Sequence, residues 1–578
     1  MENYGYAGNT LYVNLSTGDV RREPLDTNLA QKFIGGAGIG LRLLLDMLKP
    51  NINPLSPENI LAFGAGTLVG TLVPGSGKGS LNTKCSMPAS RDRKKYFIGT
   101  ATCGSNHFVI MMKNAGYDNI FITGRAEKPS YLKVTDEDVE ICDASDLWGK
   151  DVYETGRILR ERHRGKRGNC GTWAIGQAGE NLVRLALGWV DDWHNLGRFG
   201  GAIAGAKNLK AVVTLGEQGV KVANKKRFME LVGNKRQEIL SNPNYHAYDP
   251  LYGHSRPGEI SLQAETRVGY CKGCSGGICA HKVVDEVKEG KYKGAWFGGI
   301  YPGIPPYLHR QLQLKDYAGN YGEAFTIIQR ANSYGVDLWT SMYMMSFVTK
   351  MYERGVLSKE DTGGLELRTG DIDCYLALLE KIVHRQDIGA LMAEGWHPLC
   401  ERLGVDPEID PEPGCPIIKG VDLLIDARTW PGMYGTPSPT RGTGLGPGMG
   451  LSSIVGANTK QSHSATYWTD REVSLDYVKK DFELMGVTEE ELNRVFSSDY
   501  FDTGRFEKYA RDAETIYNSL GTCIEAGPVL HHPMRDIPWL AEAYSALTGF
   551  EITPRELLRA GERIVNVEKL LNVREGFS

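Results

Sequence analysis

The sequence predicts an α+β chain: an N-terminal β-sheet-rich domain over residues 1–215, then two mainly helical domains, 216–415 and 416–578. Three observations carry that reading. Short alternating runs of β-branched and aromatic residues dominate the first part, and apolar residues at helical spacing take over after about residue 216. A proline-rich break, Asp406-Pro-Glu-Ile-Asp-Pro-Glu-Pro-Gly-Cys415, then divides the helical part. A chain of 578 residues is too long for one core, which agrees with several domains.

In the strand-rich part, Thr10-Leu-Tyr-Val-Asn-Leu15 alternates and then turns at Ser16-Thr-Gly18. Ile60-Leu-Ala-Phe63, Tyr96-Phe-Ile98, Asn119-Ile-Phe-Ile-Thr123, Tyr131-Leu-Lys-Val134 and Lys210-Ala-Val-Val-Thr214 are further strands. Glycine-rich loops lie between them: Gly35–Gly40, Gly75–Gly79, Cys103-Gly104 and Gly197-Arg-Phe-Gly-Gly201. The first has the look of a dinucleotide fingerprint, but no convincing strand precedes it, so it reads as the entry loop of a helix from Leu41 to Met47. Exposed amides in such loops, beside Lys78 or Arg198, make anion sites; any one loop alone reads as ordinary turn glycine.

The helical part opens with Lys225–Ser241 and continues with Glu323–Asn332, Leu338–Glu353, Tyr375–Arg385 and Leu391–Leu403. Pro431–Gly450 is long enough and rich enough in Gly and Pro to be a functional loop. No repeat of fixed period is visible.

A net charge of -4 gives no footprint for nucleic acid or an anionic membrane. No apolar run reaches the ~18 residues of a membrane span, and Met1-Glu-Asn-Tyr-Gly has neither the basic nor the apolar region of a secretory leader. With 11 cysteines, an odd number in so long a chain, the pattern is not a disulfide scaffold. A protein of the reducing cytoplasm is expected.

The most informative stretch is Cys271-Lys-Gly-Cys274-Ser-Gly-Gly-Ile-Cys279. Three thiols on a glycine-rich loop can converge on one side of a metal centre, with Cys523 as a fourth ligand. Zinc and a [4Fe–4S] cluster both accept four thiolates, so spacing leaves the choice open, and reduced structural cysteines remain a third reading. Cys523 ends one of two matching segments, Asn332-Ser-Tyr-Gly335-Val-Asp337 and Asn518-Ser-Leu-Gly521-Thr-Cys523. Each reads as a helix closing on glycine with a polar side chain aimed onward; two unrelated helix caps would look the same.

With these motifs the chain resembles the aldehyde:ferredoxin oxidoreductase family of tungsten, occasionally molybdenum, enzymes. Gly8-Asn-Thr-Leu-Tyr-Val-Asn-Leu-Ser-Thr-Gly18, Lys113-Asn-Ala-Gly-Tyr-Asp-Asn-Ile-Phe-Ile-Thr-Gly124, Ile175-Gly-Gln-Ala-Gly-Glu-Asn-Leu-Val-Arg184 and Ala206-Lys-Asn-Leu-Lys-Ala211 also carry the resemblance, which runs from end to end. It implies a bis-pyranopterin tungsten (or molybdenum) cofactor enclosed by the helical domains, a [4Fe–4S] cluster and a Mg²⁺ bridging the pterin phosphates. Cys271, Cys274, Cys279 and Cys523 would hold the cluster, although four residues separate Cys274 and Cys279 where the family commonly has three. Lys78 would take the phosphate-gripping role, and Thr102 and Asn195 would give backbone oxygens to Mg²⁺. Gly104, Gly197 and Arg198 would line the cofactor. Asn332, Gly335 and Asp337 would hold one pterin, and Asn518, Gly521 and Thr522 the other, with Lys419 and Asp422 near the second. Both motif copies open with Asn where the family has Asp. The implied partners are a small carbonyl substrate and ferredoxin or a small iron–sulfur subunit, with no nucleic acid and no membrane; a homodimer is one implied assembly.

The resemblance also shows a gap. The family's acid/base Glu falls near Leu312, in a stretch with no Glu, and its His has no counterpart in Ser438-Pro-Thr-Arg441-Gly. His309, Asp316 and Arg441 are the catalytic candidates, with Glu323 beside them; a surface charge or a core histidine is the plainer reading of each. The leading expectation is therefore a tungstopterin oxidoreductase acting on an aldehyde or the corresponding acid. The alternatives are an active-site subunit reducing an aromatic acyl-CoA, like the class II benzoyl-CoA reductases, a non-catalytic iron–sulfur electron carrier, and a zinc-stapled interaction protein.

Overall fold

The computed structural model describes residues 3–103, 107–164, 170–191, 194–241, 264–268, 282–287, 291–300, 304–315, 322–406, 417–418, 420–422, 483–484, 486, 488–491, 503–522 and 537–577. In chain order its first half runs β1 (Asn9–Asn14), β2 (Val20–Pro24), α1 (Thr27–Phe33), α2 (Gly36–Met47), β3 (Leu61–Ala65), β4 (Gly79–Pro88), β5 (Tyr96–Cys103), α3 (His107–Asn114) and β6 (Asn119–Thr123), then β7 (Ser130–Val134), β8 (Val139–Asp143), α4 (Val152–Arg162), β9 (Gly171–Ile175), α5 (Gln177–Glu180), β10 (Gly188–Val190), β11 (His194–Leu196), α6 (Gly201–Ala206) and β12 (Leu209–Thr214). After α7 (Lys225–Ser241) come β13 (Ala264–Val268), β14 (Lys282–Val287) and β15 (Trp296–Ile300), and helices α8 (Ile304–Leu312), α9 (Gly322–Tyr334), α10 (Leu338–Glu353), α11 (Ile372–His384), α12 (Ile388–Ala393) and α13 (Trp396–Leu403). The short pair β16 (Ile417–Ile418) and β17 (Val421–Asp422) and helices α14 (Thr503–Leu520), α15 (Ile537–Thr548) and α16 (Pro554–Arg574) complete the described chain. A strand-rich N-terminal part thus precedes a mainly helical remainder. An antiparallel three-stranded sheet, β13-β14-β15, is set within the residues read from sequence as helical.

The N-terminal part is a topological duplication. One sheet has the order β2-β1-β6-β3-β4-β5 and the other β8-β7-β12-β9-β10-β11. Strand for strand the pairings agree: β1 and β7 lie parallel to β6 and β12, and every other pair is antiparallel. Gly79 pairs with Ala65 and Cys103, as Gly188 pairs with Ile175 and Leu196. That register makes Phe63 the equivalent of Trp173, Gly66 of Gly176, Lys78 of Leu187 and Thr102 of Asn195. The sheets face each other across a core that includes Leu11, Phe63, Ile120, Leu132, Trp173 and Val212, with Phe108 and Met112 of α3 between them. The equivalent aromatics Phe63 and Trp173 meet edge to face, their centroids 5.0 Å apart, a geometry worth about 0.5–1.5 kcal/mol beyond burial.

The outer face of the first sheet is covered by α2, α14 and α16, whose Leu41, Leu44, Ile516, Leu520, Leu557 and Ile564 form one core with α7 and α15. The glycine run expected as a loop is instead the first turns of α2, beginning at Gly36. A Cβ on Gly40 would come within 2.2 Å of Asn82 Nδ2, so glycine is what lets the helix lie against β4. All ten residues of β4 are buried, although Ser80, Asn82, Lys84 and Ser86 are polar. Its polar face is satisfied internally: Asn82 accepts from Thr100 Oγ1 at 2.7 Å, and Lys84 pairs with Glu575 just beyond α16. The helix expected over Leu391–Leu403 is two helices, α12 and α13, broken at Gly395, where φ is 104°. Helices α8 to α13 enclose a separate core around Phe347, Tyr375 and Trp396. Among the described residues, no helix is long and apolar enough to cross a membrane.

Candidate functional site

Each of the two matching motifs ends a helix and docks on one of the two sheets. At the end of α9, Gly335 has φ 68°, its amide donates to Asn332 O at 2.9 Å, and the Val336 amide donates to Ala331 O at 3.1 Å. At the end of α14, Gly521 has φ 80°, and the amides of Gly521 and Thr522 both donate to Tyr517 O at 2.9 Å. Both are left-handed glycine caps, a conformation a side chain disfavours. The Leu187 amide donates to Gly335 O at 2.9 Å, and its equivalent, Lys78, donates to Gly521 O at 3.0 Å. Gly176 and Gly66 directly follow strands β9 and β3. A Cβ there would come within 2.4 Å of Tyr334 O and 2.1 Å of Gly521 N respectively, so each sheet offers a bare backbone seat for one motif. Lys113 Nζ holds the second seat in place by donating to the carbonyls of Gly66 and Thr67, at 2.9 and 2.6 Å. Burial lowers that lysine's pKa to about 8, with Asp118 acting against the shift.

Three of the candidate residues come together from distant parts of the chain. Arg198 donates through Nε to Asp337 Oδ2 at 2.9 Å, and through Nη2 to Asp337 Oδ1 at 3.3 Å, Thr340 Oγ1 at 3.1 Å and Asp422 Oδ2 at 3.2 Å. All are buried: Arg198 is 7% exposed, Asp337 and Asp422 4% each. Burial pulls the guanidinium pKa down, but the two carboxylates overcome it and hold Arg198 above its ordinary value. Asp337 is also the N-cap of α10, accepting from the Thr340 amide at 2.9 Å. Asp422 Oδ1 accepts from Thr340 Oγ1 at 2.6 Å and Trp396 Nε1 at 3.3 Å. Thr340 and Trp396 were not legible as site residues; the only local signal is the Asp-x-x-Thr pattern of a capped helix start.

Lys78 is 4% exposed, and its ammonium has no hydrogen-bond or ion-pair partner among the described residues. Thr102 lies on β5, the edge of its sheet. Ile98, on the same strand, turns its amide and carbonyl away from β4 to Asn572, at 3.0 and 2.8 Å, and the Thr100 amide helps lower the pKa of Glu568. Alternation along an antiparallel strand points the Thr102 carbonyl the same way. The next residue on that line of α16 is Ile564, which has no polar group to offer. Thr102 is half-buried and its equivalent Asn195 exposed, and their strands β5 and β11, each a sheet edge, lie against one another. Gly197 has φ 96°. Asn518 is buried, with Oδ1 unpartnered among the described residues, whereas Asn332 is half-buried and Thr522 buried.

His309, 6% exposed on α8, has its pKa lowered by burial, with the Glu323 carboxylate of α9 pulling it back up. Glu323 is itself buried and accepts from Tyr292 Oη at 2.8 Å, a partner the sequence did not suggest. Its other oxygen, Oε2, is buried with no hydrogen bond among the described residues. Cys271, Cys274, Cys279, Cys523, Gly104, Asp316, Lys419 and Arg441 lie outside the described residues. Among the described residues no three His, Cys, Asp or Glu side chains converge as a metal site.

The family model described as aldehyde ferredoxin oxidoreductase, N-terminal domain, matches residues 10–216. The model for domains 2 and 3 of the same family matches residues 258–578. The tungsten-containing aldehyde ferredoxin oxidoreductase of Pyrococcus horikoshii is 28% identical over 609 residues, covering 99% of this chain and 90% of that protein. The WOR-like subunit of an aliphatic sulfonate oxidoreductase from Pyrococcus furiosus is 29% identical over 462 residues, covering 72% of this chain and 70% of that one. Among solved structures, the active-site complex BamBC of benzoyl coenzyme A reductase with 1,5-dienoyl-CoA shares the fold, with a TM-score of 0.76 at 22% identity over 100% of this chain and 90% of that one. With both models matched in chain order, over residues 10–216 and 258–578, the protein is an oxidoreductase-type enzyme that belongs to the aldehyde ferredoxin oxidoreductase family.

Proposed function

We propose that the protein is a tungsten-dependent oxidoreductase that oxidises an aldehyde, or reduces the corresponding acid, exchanging electrons with ferredoxin through a [4Fe–4S] cluster. The observation that carries this reading is the pair of glycine-capped motifs seated on equivalent ends of two duplicated sheets. Such a cradle suits a cofactor with two similar halves. The residues around it fit a bis-pyranopterin. Lys78, a buried cation with no carboxylate partner among the described residues, would meet a phosphate, and the sheet-edge carbonyl of Thr102, with Asn195 its counterpart, would be offered to Mg²⁺. Among the described residues Arg198 has bonds on Nε and Nη2 only, which would let Nη1 donate to the cofactor. Asn332, Asp337, Asn518 and Thr522 flank the capping glycines Gly335 and Gly521, and Gly104, Gly197, Lys419 and Asp422 would complete the lining. Cys271, Cys274, Cys279 and Cys523 would hold the cluster.

When bound, the tungsten centre supplies the two-electron chemistry at the carbonyl. Oxidation of an aldehyde with water to the acid releases two electrons and two protons, so the chain must hold a base near the reacting carbon. His309 is suited to take one proton because burial keeps its ring neutral, and Glu323 stabilises the imidazolium that results. Asp316 and Arg441 remain the other candidates.

Metal analysis of anaerobically purified protein tests the reading: about four irons per chain for the cluster, with one tungsten or molybdenum, and aldehyde-dependent reduction of ferredoxin. Iron without tungsten or molybdenum, from a host that makes the cofactor, would make the protein an electron carrier. Zinc alone would make the cysteine loop a structural staple. Turnover of an aromatic acyl-CoA in place of aldehydes would move the substrate to the class suggested by the absent Glu and His.

A further inference from the structure

We infer that Thr340 and Trp396 are positioning residues which, through Asp422, fix the orientation in which Arg198 presents Nη1 to the cofactor. The inference rests on the reading that Arg198 faces that cofactor. Among the described residues, one guanidinium stands against two carboxylates here. Asp337 spends its oxygens on Arg198 and on the amide it caps. Asp422 gives only Oδ2 to Arg198, and its Oδ1 is held by Thr340 Oγ1 at 2.6 Å and Trp396 Nε1 at 3.3 Å.

A buried carboxylate left with half its acceptors unmet protonates or moves. The two donors on Oδ1 therefore help to hold Asp422 against Nη2. Thr340 acts twice, since Oγ1 also accepts from Nη2 at 3.1 Å. The guanidinium is thus gripped along its Nε–Nη2 side from α10 and β17, while no bond among the described residues engages Nη1. The face of Phe199, with the guanidinium carbon 4.7 Å from its ring centre, supports the plane from one side. An arginine held this way directs one pair of N–H groups; a lysine could not.

The test uses full-length protein purified anaerobically with its cofactor, as wild type, R198M, T340V, T340S and W396F. Tungsten and phosphorus per chain, the electron paramagnetic resonance spectrum and the midpoint potential of the tungsten centre are read beside thermal unfolding. R198M is expected to lower retained cofactor about tenfold. T340V and W396F are expected to lower it severalfold and to alter the spectrum and potential, with T340S restoring both. If R198M behaves as wild type, Arg198 does not touch the cofactor and the underlying reading fails. If R198M loses cofactor while T340V and W396F match wild type in occupancy, spectrum and potential, the positioning role is wrong. Should T340V not fold, W396F decides, because phenylalanine keeps an aromatic ring beside Phe347 while it removes the indole donor and part of the ring volume, the latter read from thermal unfolding.

Discussion

Lys78 and Leu187 occupy equivalent positions in the two halves of the sheet duplication, and each donates its backbone amide to the carbonyl of a motif glycine, Gly521 at 3.0 Å and Gly335 at 2.9 Å. The backbone interaction is conserved between halves, while one side chain is a buried cation and the other a leucine. The seats beneath the glycines should therefore be intolerant for the same reason. In G66A the new methyl meets Gly521 N and Leu520 C at 2.1 Å, and in G176A it meets Tyr334 O at 2.4 Å. Backbone cannot yield as a side-chain tip can, so each should cost about 1–3 kcal/mol or more. G233A, within α7 with nothing nearby, should instead stabilise by about 0.5–1 kcal/mol. Denaturant unfolding of the three variants checks this; a neutral G66A would mean that the motif is not seated on the sheet.

The Arg198–Asp337 fork should be sensitive to loss of either partner. D337A leaves Arg198 buried against one carboxylate and removes the cap of α10, which should cost about 3–5 kcal/mol. D337N keeps an oxygen for the Thr340 amide and should cost less. R198K retains charge but cannot form the fork, so it should fall between wild type and R198M in stability. Unfolding midpoints in that order support a load shared by fork and cap. Equal midpoints for D337A and D337N would assign the effect to charge alone.

How much of this was legible before the structure depended on where each residue's partner lies. Strand β6 was readable to the residue because Asn119–Thr123 is a short β-branched and aromatic run that Gly124 closes. β4 was not, because Ser80, Asn82, Lys84 and Ser86 are buried polar residues whose partners, from Thr100 on the next strand to Glu575 491 residues away, no local pattern shows. The glycines before Leu41 read as a loop because their reason is close packing against Asn82, which no local pattern shows. The duplication escaped notice because equivalent positions hold unlike residues, Phe63 with Trp173 and Lys78 with Leu187, while the backbone pairing repeats. The two motifs were visible because a glycine cap is local chemistry. The Arg198 network was not, since its partners Asp337 and Asp422 lie 139 and 224 residues away.

Glu568 gives a pH dependence of defined sign. It is fully buried on α16, with Oε1 unpartnered among the described residues. Burial raises its pKa to about 8, opposed by Arg511 and the Thr100 amide and reinforced by Glu514. Its carboxyl therefore keeps a proton that the unfolded chain, with a pKa near 4.5, has already lost. Between those values the native state binds more protons, so this group's contribution to stability falls as pH rises, by up to about 1.4 kcal/mol per pH unit. The contribution is complete below the unfolded value and gone above the folded one. E568Q should remove that slope and overtake wild type toward pH 8, as read from unfolding free energies at several pH values. Parallel curves for the two proteins would show Glu568 to be ionised in the native state.

The last prediction concerns the proton. Burial lowers the His309 pKa and Glu323 raises it again, so the two side chains set jointly where the ring gains its charge. If His309 accepts the substrate-derived proton, kcat/KM should fall on the acid side as the ring protonates. E323Q removes the carboxylate that favours the imidazolium, so its acid limb should move to lower pH. It should also turn over more slowly at neutral pH, because the protonated ring formed during reaction loses its counter-charge. H309A should lose the limb altogether, together with about 10²–10⁴ in rate. Tyr292, whose hydroxyl orients Glu323 at 2.8 Å, supplies a graded control. Y292F should shift the limb less than E323Q and in the same direction only if Glu323 then stands farther from the ring. Full metal content with undiminished turnover in H309A would remove His309 from the reaction and leave Asp316 and Arg441 as the groups to substitute next.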